Sequence, residues 1–258
     1  MVNRLLHFVT GSPLVIMIYV PITFLSSGCA SINGTTDPRD PFENYNRAVY
    51  EFNHDFDRVY TKPIAKAYKK VMPTRVNRGI TNFLSNLYDV TVLANDILQF
   101  KFGQAAQDTM RIFFNSTIGL AGFIDVATFM ELPRHNEDFG QTLGYWGVPN
   151  GPYFVLPFLG PSTIRDTVGL ATDYSFFNPM FNQAVDVRNS MVILNFIDTR
   201  ASLLGADRIL EAAALDPYVF TRDAYLQRRQ NLVYDGNPPE EKLEDDYDNA
   251  DDIGKPPD

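Results

Sequence analysis

The 258-residue sequence has one cysteine, one tryptophan and three histidines. A single cysteine excludes an internal disulfide bond, and the cysteine and histidines lack the spacing of a zinc site. There is also no G-x-S-x-G nucleophile elbow, no H-E-x-x-H motif, no P-loop and no G-x-G-x-x-G dinucleotide motif. The sequence therefore indicates neither an enzyme nor a protein with a cofactor or a metal ion.

Basic residues are also scarce, with 22 Lys and Arg against 31 Asp and Glu and a net charge of −9. Residues 235–258 hold ten acidic and two basic residues, so residues 1–234 carry only −1. Nucleic-acid binding requires a basic face, which this nearly neutral body does not offer. The acidic, proline-containing stretch 235–258 has too few apolar residues to form a core, and we predict a disordered tail.

The N-terminal region has the organisation of a bacterial lipoprotein signal. A basic start with Arg4 precedes an apolar stretch from Leu14 to Leu25, and small residues then lead to Cys29. Ser26 stands three residues before the cysteine, where such signals usually have leucine. We predict a signal peptide over 1–28, lipid attachment at Cys29, and a lipidated N-terminus and polar tether over 29–41.

Helical periodicity predicts a single all-α domain over 42–234. An apolar stripe with spacings of three and four runs from Phe42 to Val59, and a polar line lies beside it at Asn46, Tyr50, Asn53 and Asp57. We expect Lys62-Pro63 to interrupt this helix, because proline lacks an N–H donor, and the helix to resume over Ile64–Val71. A second long helix is predicted with Thr74 as its N-cap, running through Leu98 and closed by Lys101 and Gly103. A third is marked by Ala106, Met110, Phe113, Phe114, Thr117 and Ile118.

Two segments differ from ordinary soluble structure. Phe113–Met130 contains one charged residue, Asp125, and predicts a buried or interfacial helical hairpin, with an ordinary pair of core helices as the alternative. The 25 residues Gly140–Ile164 carry no charge and contain many glycines, prolines and aromatics. We expect no regular helix in this segment, and aromatics packed on the core or at a membrane interface. Thr163 and Asp166 predict a capping box for a helix that begins near Ile164.

Several blocks of the sequence resemble, in order, one known family. They are Asp40–Arg47, Tyr50–Asn53, Arg111–Gly119, Gly122–Ala127, Phe139–Gly147, Gly151–Tyr153, Leu156–Phe158, Arg165–Asp166, Asp216–Tyr218 and Arg222–Tyr225. From about Asp40 to Tyr234, the chain is similar to the MlaA (VacJ) lipoprotein family. The acidic tail falls outside this resemblance.

The resemblance implies a Gram-negative outer-membrane lipoprotein that maintains lipid asymmetry. The expected architecture is a helical ring in the inner leaflet of the outer membrane with a central polar channel. The implied partners are phospholipid, a trimeric porin and a soluble periplasmic lipid carrier that receives mislocalised phospholipid. Ala30, directly after the cysteine, agrees with sorting to the outer membrane.

Under this resemblance, polar side chains are the candidate channel lining. We expect Asn46, Asn53 and Asp57 to face the channel or its rim while Phe52 packs in the wall, the alternative being that the polar residues face bulk water. The other candidates are Arg165, Asp166 and Asp173. Gly144, Gly147 and Gly151 are expected to let the aromatic loop bend.

Two other functions remain open from the sequence. One is a periplasmic lipid hydrolase that uses His54 or His135, since a Ser-His-Asp arrangement needs only one of them. The other is a structural lipoprotein that associates with porins without moving lipid.

Overall fold

A computed structural model of the protein describes residues 37–207 and 215–239. The predicted signal peptide, Cys29 and most of the acidic tail lie outside the described residues. The α-helices of the described part are α1 (Glu43–Phe56), α2 (Lys62–Val71), α3 (Thr74–Leu98), α4 (Phe102–Thr117), α5 (Val126–Phe129), α6 (Phe139–Tyr145), α7 (Ile164–Thr172), α8 (Val185–Leu203) and α9 (Pro217–Val233). Two strands, β1 (Tyr153–Leu156) and β2 (Gly160–Thr163), form an antiparallel hairpin. The all-α class is thus confirmed, with one small hairpin added.

No break occurs at Lys62-Pro63, so the predicted interruption was wrong, whereas the helix predicted over Ile64–Val71 is confirmed within α2. A π-helical turn, Asp57–Thr61, joins α1 directly to α2, and the Lys62 N–H donates to the carbonyl of Asp57. Proline is tolerated in the first turn of a helix, where its missing N–H needs no partner. Pro63 occupies that place in α2, so the wider turn before it lets the chain remain helical through Val71.

The uncharged segment 140–164 contains more regular structure than its composition predicts. Helix α6 covers its first residues, which contradicts the expectation of no regular helix. The Asp138 side chain caps α6 by accepting from the Gln141 N–H at 2.9 Å. The hairpin follows, with Tyr153 opposite Thr163 and Leu156 opposite Gly160. Strands of four residues are too short to show a clear alternation in the sequence.

The predicted start of α7 is confirmed. The Thr163 hydroxyl accepts from the Asp166 N–H at 3.1 Å, as expected for an N-terminal cap, and α7 begins at Ile164. The helix then ends in a second π-helical turn, Asp173–Phe177. Asp166 and Asp173 therefore lie at opposite ends of the same short helix.

A conventional core is present where α1, the hairpin and α9 meet. Tyr153, Val155 and Tyr218 are buried there, with Tyr50 and Leu226 packed against them. We call this cluster of five residues the aromatic core. Tyr218 stacks edge-on against both Tyr50 and Tyr153, with ring centroids 5.7 and 6.3 Å apart. Apolar side chains are inside here, as in most soluble proteins.

Helix α4 shows the opposite arrangement. Its Asp108, Arg111 and Asn115 face the interior, whereas Met110 and Phe113 are about half exposed, at 51% and 58%. The apolar stripe that predicts the helix is therefore its outer side. Exposed apolar residues continue after α4, and together they form what we call the outer apolar face: Phe102, Met110, Phe113, Ile118, Leu120, Phe123, Ile124, Phe129 and Met130.

The predicted hairpin Phe113–Met130 is accordingly not a pair of core helices. Its chain consists of the end of α4, a series of turns and the single-turn helix α5. Leu120, Ala121 and Gly122 all have positive φ in these turns. Among the described residues, buried polar side chains outnumber buried apolar ones. Within the same residues, no helix has both the length and the apolar composition of a membrane span.

Candidate lipid cavity and interior polar network

Arg229 on α9 connects the N-termini of two helices. Its guanidinium donates to both Asp138 oxygens, at 2.5 and 2.9 Å, and to Asp166 Oδ1 at 2.9 Å. Tyr225 donates to the other Asp166 oxygen at 2.8 Å. Burial opposes ionisation of Asp138, but the hydrogen bonds and charge of Arg229 outweigh it and hold the pKa of Asp138 below its ordinary value. Asp138 thus caps α6, Asp166 lies in the first turn of α7, and Arg229 fixes α9 to both helices.

Close packing of α6 on α7 depends on glycine. A Cβ on Gly169 would lie 2.3 Å from the Gly140 nitrogen, a distance that no side chain tolerates. A Cβ on Gly144 would lie 2.8 Å from Arg165 Nη1 and from Val233. Gly144 is therefore a close-packing position. Close packing therefore explains the glycine at position 144, where the sequence predicts loop bending.

A cavity of about 1180 Å³ opens between the loop after α6, the start of α7 and the exposed side of α9. Arg165 and all three predicted loop glycines, Gly144, Gly147 and Gly151, lie in its wall. Gly147 and Gly151 have positive φ, +88° and +66°, which favours glycine at both. The structure therefore brings together four residues that the sequence singles out separately.

The cavity wall contains three arginines, Arg39, Arg165 and Arg228. Arg39 makes ion pairs with Asp37 at 2.7 Å and with Asp223, which also lies in the wall, at 3.1 Å. Arg165 is held in place, since it donates to Asp166 Oδ1 at 3.0 and 3.1 Å. Guanidinium groups bind phosphate through planar, paired hydrogen bonds, and apolar residues such as Leu226 and Val233 lie in the same wall. The cavity thus offers guanidinium groups that complement a phosphate and an apolar surface that complements acyl chains.

Asn46 and Asn53 on α1 hold the hairpin. The amide of Asn46 donates to the carbonyl of Tyr153 at 3.1 Å and accepts from the Val155 N–H at 2.9 Å. Asn53, two turns later, likewise bonds the Leu156 carbonyl at 2.9 Å and the Phe158 N–H at 2.7 Å. The polar line of α1 therefore acts as an additional partner for β1. Asn46 is fully buried in this position.

The remaining candidates from the sequence lie apart from the cavity. Arg200 on α8 binds Asp57 through two hydrogen bonds, at 2.6 and 2.8 Å, and so joins the first π-helical turn to α8. Phe52 is half exposed and contacts Phe158 edge-on, with centroids 5.3 Å apart. Asp173 is buried and accepts from Asn95 at 3.0 Å and from the Phe139 N–H at 2.9 Å. Burial raises the pKa of Asp173 to about 6.

One side of α3 is polar and buried, and its Asn95 contacts Asp173. Asn86, Asp89, Asp96 and Gln99 lie on it, and each has a buried oxygen without a hydrogen-bond partner among the described residues. Asn95 and Thr142 link this side to α6, since the Thr142 hydroxyl donates to Asn95 Oδ1 at 2.8 Å. Buried polar groups in proteins are normally satisfied by protein or by water. The interior along α3 is therefore polar.

The two histidines differ in setting. His54 is exposed on α1, with Nδ1 3.8 Å from Asp55. His135 is partly buried, and its Nδ1 lies 2.8 Å from Asp108 Oδ2. A second cavity of about 380 Å³ is lined by both His135 and Ser85.

Sequence reasoning missed Arg229, Asp138 and the buried polar side of α4. Asp108, Arg111 and Asn115 recur at spacings of three and four, opposite the apolar stripe of the same helix. That spacing alone indicates a second stripe of side chains, on the inward side of the helix. Arg229 gave no such signal, because its partners lie 63 and 91 residues away in the sequence.

Comparison with known proteins places the chain in a family. The sequence model described as MlaA lipoprotein matches residues 38–232. The chain belongs to the MlaA lipoprotein family. The resemblance stated from the sequence motifs is thereby confirmed.

Relatives extend across most of the chain. The intermembrane phospholipid transport system lipoprotein MlaA of Escherichia coli is 35% identical over 240 residues, which is 89% of this chain and 95% of the relative. The protein of the same name from Haemophilus influenzae is 31% identical, covering 84% of this chain and 89% of that one. An uncharacterised protein of Rickettsia prowazekii is 30% identical over 208 residues, 80% of this chain and 83% of its own.

A solved MlaA-like chain has the same fold. It was described in work on the structural basis for maintenance of bacterial outer membrane lipid asymmetry. The match has a TM-score of 0.68 at 33% identity and covers 75% of this chain and 98% of that one. Likeness at this identity supports comparison of sites as well as fold.

Proposed function

We propose that this protein is an outer-membrane lipoprotein that removes mislocalised phospholipid from the outer leaflet. It passes the lipid through a polar path to a soluble periplasmic carrier and so maintains lipid asymmetry. The observation that carries the proposal is the reversal at α4, where Arg111 and Asn115 are buried while Phe113 is exposed. A protein embedded in a leaflet around a polar passage needs that reversal.

The outer apolar face supports a position in the inner leaflet of the outer membrane. Its nine large apolar side chains are all exposed along α4 and the turns after it, and large exposed apolar patches mark an interaction with a membrane or another protein. Phe113 and Phe129 are exposed to 58% and 82%. Their transfer into hydrocarbon gains about 25 cal/mol for each Å² of apolar surface removed from water. A trimeric porin is the proposed protein neighbour on this membrane side.

Lipidation of Cys29 fits the same orientation. The chain enters the described structure at Asp37, which Arg222 on α9 binds at 2.9 Å. The next residues lead to Arg39, in the wall of the larger cavity. Seven residues lie between Cys29 and Asp37, and the eight Cα–Cα steps span at most about 26–29 Å when extended. The acyl chains therefore hold the cavity within reach of the membrane surface.

The larger cavity is the proposed place for the lipid headgroup. A phosphate removed from water needs a cation or several donors, because an unpaired charge is costly in an apolar medium. Arg39, Arg165 and Arg228 provide cationic groups in the wall. Gly147 and Gly151, on the loop at this cavity, are the proposed hinge positions of a gate.

Lipid extraction from vesicles tests this function. The purified lipoprotein is reconstituted in vesicles that contain fluorescent phospholipid, and a soluble lipid carrier is added outside. Labelled lipid is expected to appear on the carrier only with the protein present. Absence of protein-dependent extraction would contradict the conduit and leave the structural, porin-associated role.

Photocrosslinking tests the cavity itself. A crosslinking amino acid at Gln227, in the cavity wall, is expected to capture phospholipid. The same group at Lys70, an exposed position on α2, is the matched control. Equal capture at both positions would show that contact with lipid is not specific to the cavity.

A hydrolase remains the second candidate, because His135 contacts Asp108 and lines the same cavity as Ser85. These are the residue types of a Ser-His-Asp hydrolase. The purified protein is incubated with phospholipid, and lyso-lipid and fatty acid are measured by mass spectrometry. Release that is lost in both Ser85→Ala and His135→Gln would favour the hydrolase over the conduit.

A further inference from the structure

Three side chains from separate segments converge near the end of α3. Asp96 lies on α3, Asp108 on α4, and His135 in the segment before α6. One possible ligand atom from each lies within 4.8 Å of the other two. Asp108 and His135 are 27 residues apart in the sequence. No linear motif connects the three residues, which is why the sequence alone indicates no metal site.

Asp96 has no protein partner that would explain its burial. Its side chain is fully buried, and neither carboxylate oxygen has a hydrogen-bond donor among the described residues. Asp108 beside it is also buried, 1% exposed. A buried carboxylate is costly unless it is paired with a cation or coordinates a metal ion. The group facing Asp96 is a second acid, so the pair lacks positive charge.

The neighbouring cations make their ion pairs with other acids. Lys101 binds Glu137 at 3.0 Å and Asp235 at 2.6 Å. Arg134 binds Asp89 at 2.7 Å. Arg111 binds Asp125 at 3.2 Å and donates to the Leu132 carbonyl at 2.7 Å. His135 offers the pair a ligand nitrogen, since its Nδ1 lies 2.8 Å from Asp108 Oδ2.

We propose that Asp96, Asp108 and His135 bind one divalent transition-metal ion of the zinc class. Two carboxylates neutralise the charge of the ion, and imidazole favours zinc-like ions over calcium and magnesium, which prefer oxygen ligands. Ligand atoms around a tetrahedral zinc ion lie about 3–3.5 Å apart, given bonds of about 2.0–2.2 Å. A set within 4.8 Å reaches this spacing through small side-chain movements. Three protein ligands leave the fourth position to water.

The bound ion would join α3 and α4 to the segment that precedes α6. Of these elements, α3 carries the buried polar side and α4 carries part of the outer apolar face. Because the folded chain brings the ligands together, metal binding adds to the stability of the fold. This inference does not depend on the proposed lipid transport, and its test measures metal alone.

Metal binding to the purified full-length lipoprotein in detergent tests the proposal. The protein is treated with a chelator, dialysed and titrated with ZnCl₂ by calorimetry, and bound zinc is counted by mass spectrometry. One zinc ion per chain is expected. Asp96→Asn, Asp108→Asn and His135→Gln should each weaken binding by more than about 100-fold, since loss of even an outer partner costs about 10–100-fold. His54→Gln, the matched control on α1, should leave affinity unchanged.

Two further measurements separate this site from other sources of binding. Co²⁺ should give the visible spectrum of a tetrahedral N/O site in the parent protein and lose it in His135→Gln, even if the variant is less stable. Zinc should raise the midpoint of thermal unfolding of the parent but not of Asp96→Asn. Less than one ion per chain, or zinc binding that is equal in the parent and the three ligand variants, would overturn the proposal. Stronger binding of Mg²⁺ than Zn²⁺ would overturn the assigned class.

Discussion

The aromatic core and the outer apolar face bury opposite kinds of side chain. In the aromatic core, Tyr153 and Tyr218 are inside. At the outer apolar face, Phe113 is outside while Arg111, two residues earlier on α4, is 1% exposed. The two regions lie in one chain with similar helices. The difference teaches that an apolar stripe identifies a helix, whereas the side of the helix that meets the protein depends on what surrounds the fold.

The largest effect on stability is expected in the aromatic core. Tyr218→Ala removes ring contacts to Tyr50 and Tyr153 and a hydrogen bond to Asp40, and should lower the free energy of unfolding by about 3–5 kcal/mol. Chemical denaturation in detergent measures this. Phe113→Ala, the matched aromatic of the outer apolar face, should change it by less than about 0.5 kcal/mol. Similar losses in both variants would remove the distinction between the regions.

A somewhat smaller effect is expected for the buried cation of α4. Arg111→Met breaks the ion pair with Asp125 and the hydrogen bond to the Leu132 carbonyl. Removing one partner of a buried pair costs about 3–5 kcal/mol, and the partial exposure of Asp125 places the expected loss near about 3 kcal/mol. The same denaturation experiment applies. A more stable Arg111→Met would show that α4 prefers an apolar inner side.

Asp173 should add a pH dependence of about 1 kcal/mol. Its pKa is raised by burial to about 6, above the ordinary value of 3.8, so the folded state binds a proton more readily than the unfolded state. Stability from this group is therefore gained as pH falls from 7 to 5, and lost as pH rises through 6. Unfolding free energies at pH 5 and 7 should differ less in Asp173→Asn than in the parent. An unchanged difference would contradict the raised pKa.

The smallest change in stability is expected for a variant that should lose the most membrane binding. Replacing Phe113, Ile118 and Phe129 together by serine removes exposed apolar surface and should leave the unfolding free energy within about 1 kcal/mol, since none of the three is buried. Membrane flotation should nevertheless show weaker binding of an unlipidated form. A triple serine replacement at exposed Lys66, Lys69 and Lys70 on α2 is the control. Equal flotation of both variants would show that the outer apolar face does not contact the membrane.

Local patterns in the sequence predicted much of the fold. The spacing of three and four along α3 predicted the helix through Leu98, although Thr74 is its first residue and not its N-cap. Thr163 with Asp166 predicted the start of α7. These features depend on neighbours within a few residues. The π-helical turn before Pro63 was missed, because a wider turn absorbs a proline that would otherwise end the helix.

The candidate sites depended on distant contacts and were harder to predict. Arg165 and the three loop glycines do meet at one cavity, but Asn46 and Asn53 bind the hairpin, which the sequence did not show. Two asparagines on a helix look the same whether they face a channel, water or a strand. Asp96 and His135 likewise came together only through the packing of α3, α4 and the segment before α6. The channel-lining role of the polar candidates and the gating role of the loop glycines stay predictions.

Membrane binding without the lipid anchor tests the central claim most directly. A Cys29→Ala form exported by another signal peptide lacks the acyl chains but keeps the outer apolar face. Its partition between outer-membrane vesicles and buffer is measured by flotation without detergent. The account predicts that this form stays with the vesicles, because the fold itself enters the leaflet. A Cys29→Ala protein found entirely in the buffer would contradict this account and leave the lipid on Cys29 as the membrane attachment.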